Sequence, residues 1–209
     1  MKKHISILTA ALLLNGAPSA FAASTTDLTV TGLITPVACT PTLSNNGDAY
    51  FGKWSAKDLN QTRTTPLGRK TLQLEVDCDG ETPFALNLKE NRPNTSIAPE
   101  MFGLGMINTN QKLGGFDISY SDAITEKGRK PILVSVDDGQ SWNRSDNIPI
   151  DPGAWASVGD SSSGSFLPIP ITNLTMTMVV RGYIARADIL TLTDDVLLDG
   201  NATLEVKYL

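Results

Sequence analysis

The chain has 209 residues, with 17 Lys and Arg against 22 Asp and Glu and a single His. The first 22 residues read as a removable leader; beyond them stand 15 basic and 22 acidic side chains, two Cys and no His. That excludes a His/Cys zinc site and any Ser-His-Asp or Cys-His catalytic group, and an acidic chain without a basic run is a poor match for nucleic acid.

Residues 1–22 have the three parts of a secretory signal peptide. Lys2, Lys3 and His4 give a positive start, 5–14 is a short apolar run, and Ala20-Phe21-Ala22 is a small-x-small cleavage site. The apolar run is about ten residues, whereas a membrane-spanning helix needs about twenty. Export also bears on the cysteines. Cys39 and Cys78 are the only two, and an oxidising compartment favours a disulfide between them. Closing a loop of that size contributes roughly 4 kcal/mol by the chain-entropy estimate.

The next segment, 23–31, is polar with Leu28 and Val30 on one side, continuing through Gly32 and Ile34 towards Cys39. It reads either as a frayed entry to the first strand or as an extended arm able to pair with another sheet edge. After it, apolar residues recur with a period of two. Leu72, Leu74 and Val76 alternate with Gln73, Glu75 and Asp77; Phe84, Leu86 and Leu88 follow, then Phe116, Ile118 and Tyr120, then Ile132, Val134 and Val136. Leu174, Met176, Met178 and Val180 form a longer run, and Ala202, Leu204, Val206 and Tyr208 close the chain. Such alternation predicts half-buried strands. Turn clusters are expected at 44–48, Gly114-Gly115, Asp138-Gly139 and 161–164, with generous loops around 91–115 and 137–168. Many short strands with Gly/Pro turns and no helical period point to one all-β domain, an antiparallel sandwich or barrel.

Three segments carry a resemblance. Residues 28–39 read LTVTGLITPVAC; Tyr50-Phe51-Gly52-Lys53-Trp54 precedes the strand LQLEVDC ending at Cys78; and 201–209 read NATLEVKYL with a penultimate Tyr. In this order, behind a signal peptide, they resemble the pilin subunits of chaperone–usher fimbriae. Two positions depart from the pilin ending: Val196 stands where a Gly is usual and Leu204 where a Phe is usual.

The resemblance implies an incomplete Ig-like antiparallel β-sandwich lacking its last strand, completed by donor-strand exchange. It implies a signal peptide (1–22), a donor arm (23–31) and a pilin-like domain (32–209). Leu28, Val30 and Gly32 would be the donor-strand residues. Leu204, Val206 and Tyr208 would line the acceptor groove, with the Leu209 carboxylate anchored by the chaperone. The implied partners are neighbouring subunits, a periplasmic chaperone and an outer-membrane usher, and the implied location is the cell surface. A minor or tip-proximal subunit would add a host glycan or protein receptor. No cofactor, metal or catalysis is implied.

Two other signals compete. Ser135-Val-Asp137-Asp-Gly139-Gln-Ser-Trp142 matches the Asp-box pattern Ser-x-Asp-x-Gly-x-x-Trp of sialidases and other glycan-related proteins. It reads as a hairpin turn or, alternatively, as a sugar site in a free secreted carbohydrate-binding sandwich, with Trp142 and Trp155 as stacking surfaces. The pairs Asp137/Asp138 and Asp194/Asp195 are adjacent, so on a strand their side chains point to opposite faces and do not form an acid/base couple.

Overall fold

Alternation of apolar and polar side chains builds nearly every long element. The structure, a computed structural model, describes residues 29–31, 37–162 and 164–209, with the backbone alone of Ser162. The chain divides into two units, Met1–Ile34 and Thr35–Leu209. Of the first, 29–31 are described, non-strand and exposed. The segment read as a signal peptide, most of the segment read as an arm, and Leu28 and Gly32 lie outside the described residues.

In the second unit the principal strands are β1 (Cys39–Leu43), β2 (Thr65–Thr82), β3 (Phe84–Glu90), β4 (Gly114–Thr125), β5 (Ile132–Ser135), β6 (Trp155–Ser162), β7 (Ile171–Ile184) and β8 (Ala202–Tyr208). Among the described residues helical structure is confined to three short 3-10 turns, and no helix is long and apolar enough to cross a membrane.

All strand pairs are antiparallel, and two sheets pack in a sandwich-like arrangement. One runs β1-β2-β7-β4; the other runs β5-β6-β3-β8. Leu72, Leu74 and Val76 of β2, Met176, Met178 and Val180 of β7, and Phe116, Ile118 and Tyr120 of β4 share one core with Phe84, Leu86 and Leu88 of β3, Ile132 of β5 and Ala156 and Val158 of β6. The intervening Gln73, Glu75 and Asp77 are exposed, as the two-residue side-chain period requires. Each fully buried Leu, Val or Met of this set contributes about 1.5–3 kcal/mol.

Cys39 and Cys78 stand directly opposite in the β1/β2 register and form a disulfide. It staples the short β1 to the longest strand.

Three of the expected turns are where the sequence places them. Asn45, Asn46 and Gly47 adopt positive φ, as do Asp138 and Gly139, and Gly164 turns β6 into the Ser165–Pro168 strand. Gly114-Gly115 is different: it lies inside β4, opposite Ile184 and Tyr183. A Cβ on Gly114 would sit 2.1 Å from the Tyr183 carbonyl oxygen, and one on Gly115 2.9 Å from Ser96 Oγ. These glycines permit close approach of neighbouring chain rather than a reversal. The regions expected as loops also hold more strand, with β6 and six strands of two to four residues within 91–115 and 137–168.

The distant edges of both sheets are blunted. Along the free side of β4 lie Phe102–Gly103, Pro149–Ile150 and Gly128–Arg129, and β5 carries Asn143–Arg144. Short covering strands of this kind are a usual protection against edge-to-edge association.

Candidate functional site

The edges at the other end, β1 and β8, have no such cover among the described residues. β8 pairs with β3 from Ala202 opposite Glu90 to Tyr208 opposite Phe84. Asn91 N–H donates to the Asn201 carbonyl (3.1 Å) and Leu209 N–H to the Pro83 carbonyl (3.2 Å), bracketing the ladder. In an antiparallel pair, hydrogen bonding to one neighbour recurs every second residue. Thr203, Glu205 and Lys207 therefore bond to β3, and the N–H and C=O groups of Ala202, Leu204 and Val206 point away from it.

The same reasoning gives a different result for β1. Asp79 N–H donates to the Ala38 carbonyl at 2.9 Å, so Thr40 and Thr42 bond to β2 and Cys39, Pro41 and Leu43 face outward. Pro41 has no N–H, and the Cys39 N–H donates to the Tyr208 hydroxyl at 2.9 Å. Of the donors on that edge only Leu43 remains. The receptive edge is that of β8.

Beside it lies a groove of about 990 Å³ that opens onto the core. Leu43 of β1, Leu72 of β2, Leu88 of β3, Phe116 and Ile118 of β4, Met178 and Val180 of β7, and Ala202 and Leu204 of β8 line it, with walls from the loops 47–56 and 192–201. A volume of this order sits at the upper end of the roughly 300–1,000 Å³ typical of small-molecule pockets, so several side chains fit in it. Leu204 lines this space, while Val206 packs against the core beyond it. Tyr208 is partly exposed and its hydroxyl ties β8 to β1. Leu209 is exposed, with its N–H on Pro83. Val30 is 86% exposed.

A charged fork braces one wall. Arg92 Nε and Nη2 donate to the two carboxylate oxygens of Asp199 at 2.9 and 2.8 Å, which holds the Asp199 carboxyl below the usual carboxylate range. On the solvent side of β8, Lys207 pairs with Glu205 at 2.7 Å. The sequence drew attention to the aromatic 50–54 segment but not to its place. Tyr50, Phe51 and Trp54 lie on the groove wall, and Trp54 Nε1 donates to the Phe51 carbonyl. Nothing in the sequence marked residues 192–198 as the other wall. Only the alternation of Leu190, Leu192, Val196 and Leu198, all packed against the core, could have hinted at it.

The Asp-box segment is a closed structural turn. Ser135 Oγ donates to Asp137 Oδ1 at 2.6 Å, Ser141 N–H to Oδ1 at 2.9 Å and Ser141 Oγ to Oδ2 at 2.5 Å. These donors hold the Asp137 carboxyl down at about 2. Trp142 is buried and donates Nε1–H to the Gly139 carbonyl, and Trp155 packs with it, Ala85, Leu133 and Phe166. Both rings are part of the packing rather than open sugar platforms. Among the described residues no cluster of three or more His, Cys, Asp or Glu could hold a metal ion.

Residues 28–100 match the model of a family described as a protein of unknown function (DUF1120). That span contains β1, β2 and β3, and so the disulfide and the strand on which β8 lies. The chain is similar to Protein GltF of Escherichia coli (strain K12), at 28% identity across 100% of this chain and 99% of that protein. It is also similar to Uncharacterized protein YhcF of the same organism, at 24% identity across 92% of this chain and 94% of that protein.

Proposed function

We propose that this chain is a structural subunit of a chaperone–usher surface fimbria, an Ig-like sandwich one strand short that polymerises by donor-strand complementation. The observation that carries the reading is the open β8 edge beside a groove whose floor is formed by core side chains. Exposed edges are normally short, charged or covered, because they template association. Here the distant edges are covered, and this one, among the described residues, is not. An entering strand would bond to the backbone of Ala202, Leu204 and Val206 and place alternate side chains in the groove, the geometry of β-strand addition.

A strand bringing four or five apolar side chains, each at ~1.5–3 kcal/mol, contributes on the order of 10 kcal/mol before ordering costs. In this reading a periplasmic chaperone supplies the strand first, and at the outer-membrane usher the N-terminal arm of a neighbouring subunit replaces it. Leu28 and Val30 of this chain's own 23–31 arm, and Gly32 just after it, enter the groove of a neighbouring subunit, and the Leu209 carboxylate anchors on the chaperone. The subunit ends at the cell surface and performs no catalysis.

The test is periplasmic expression with and without the cognate chaperone, for the full chain and for a chain lacking 23–31. Rescue of both forms by chaperone, with only the full chain entering fibres, is the expected result. A truncated chain that polymerised like the full one would contradict the arm's role, and a chain equally stable and monomeric without chaperone would contradict the reading as a whole.

A further inference from the structure

The mouth of the groove carries charge that the reading above leaves unused. Asp48, in the 47–56 loop, and Asp194 and Asp195, in the 192–201 loop, are exposed and all line it, and Lys53 is the one cationic side chain among the lining residues. Eight ion pairs occur among the described residues, and none includes these three carboxylates. Asp194 accepts only from the neighbouring Thr193 hydroxyl, at 3.1 Å. Asp199, a few residues on, is by contrast neutralised by Arg92.

We infer that the strand this groove is built to receive comes from a different protein and carries a Lys or Arg next to its apolar alternation, and that a second copy of this chain is a disfavoured donor. The inference rests on the groove reading. Apolar contacts and the β8 backbone bind any alternating strand; the acidic mouth selects among them. Charges around a cleft act mainly on encounter and partner choice. This chain's own segment from Ala23 to Cys39 contains Asp27 and no Lys or Arg. The amino group freed at Ala23 by leader cleavage does no more than cancel Asp27, so a second copy brings no net positive charge to the mouth.

The experiment uses the exported chain with its disulfide intact and acetylated, fluorescently labelled peptides. One has the sequence of 23–36; the others carry Ser24→Lys, Asp27→Lys or Thr35→Lys. At low salt at least one Lys peptide should associate roughly tenfold faster than the parent. The difference should close at high salt and vanish in a chain carrying Asp48→Asn, Asp194→Asn and Asp195→Asn. Equal association of all four peptides at low salt, or a gain that persists in the triple variant, would overturn the inference while leaving the groove in place. Failure of every peptide to bind at any salt would remove the groove reading and this inference with it.

Discussion

The Tyr208 hydroxyl accepts the Cys39 backbone N–H at 2.9 Å, joining the last strand of one sheet to the first strand of the other. The bond takes the one outward N–H that the disulfide-bearing residue of β1 offers, and Pro41 removes the next. The asymmetry between a blocked β1 edge and an open β8 edge follows from these two residues.

Tyr208→Phe keeps the ring and removes the bond. A hydrogen bond of this kind is worth about 1 kcal/mol, and its partial exposure puts the expected loss at or below that. Urea denaturation should show a small fall in midpoint at unchanged slope, and the Cys39 amide should exchange faster with solvent.

Leu74 and Leu204 separate stability from function. Leu74 is fully buried in the core, so Leu74→Ala should cost about 2–5 kcal/mol by the cavity rule. Leu204 lines an open groove. Leu204→Ala should cost the isolated chain clearly less and weaken strand capture more. Equilibrium unfolding and peptide titration of the two variants give the comparison.

The disulfide should matter to stability. Reduction, or the double change Cys39→Ser with Cys78→Ser, removes a constraint worth about 4 kcal/mol in the chain-entropy account. The expected outcome in thermal unfolding with and without reductant is a large fall in midpoint, of a size that leaves the chain marginal.

Acid should open the 135–142 turn late. The Asp137 carboxyl is lowered from 3.8 to about 2, first by the Ser135 hydroxyl and then by the Ser141 hydroxyl and amide. A carboxyl depressed by folding contributes stability that is present above its unfolded value and disappears as pH falls through its folded one. The turn's contribution should be intact above pH 3.8 and decline towards pH 2. Near-ultraviolet dichroism of Trp142 would report it, and in Asp137→Asn the acid transition should disappear.

Much of this fold was legible because its strands are half buried. Where large apolar residues alternate with polar ones, as at Leu72–Val76 or Leu174–Val180, the period of two marks both the strand and its inward face. It fails where the inward residues are small. Ala154, Ala156 and Val158 are buried, yet two alanines and Ser157 give little hydrophobic contrast, so the sequence reads as loop where β6 stands. Gly114-Gly115 failed for another reason: glycine marks both turns and close packing, and sequence alone does not separate them. The groove was half legible. Leu204, Val206 and Tyr208 share a face by alternation, but only the ladder register shows that their backbone groups point to the open edge. The 192–198 wall depends on contacts distant in sequence.

Residue-resolved amide exchange on β8 tests the central claim most directly. In the free chain the account predicts protection at Thr203, Glu205 and Lys207, whose bonds go to β3, and fast exchange at Ala202, Leu204 and Val206, with these three becoming protected when an alternating donor peptide is added. Equal protection of both sets in the free chain would contradict it, because the edge would then already be occupied.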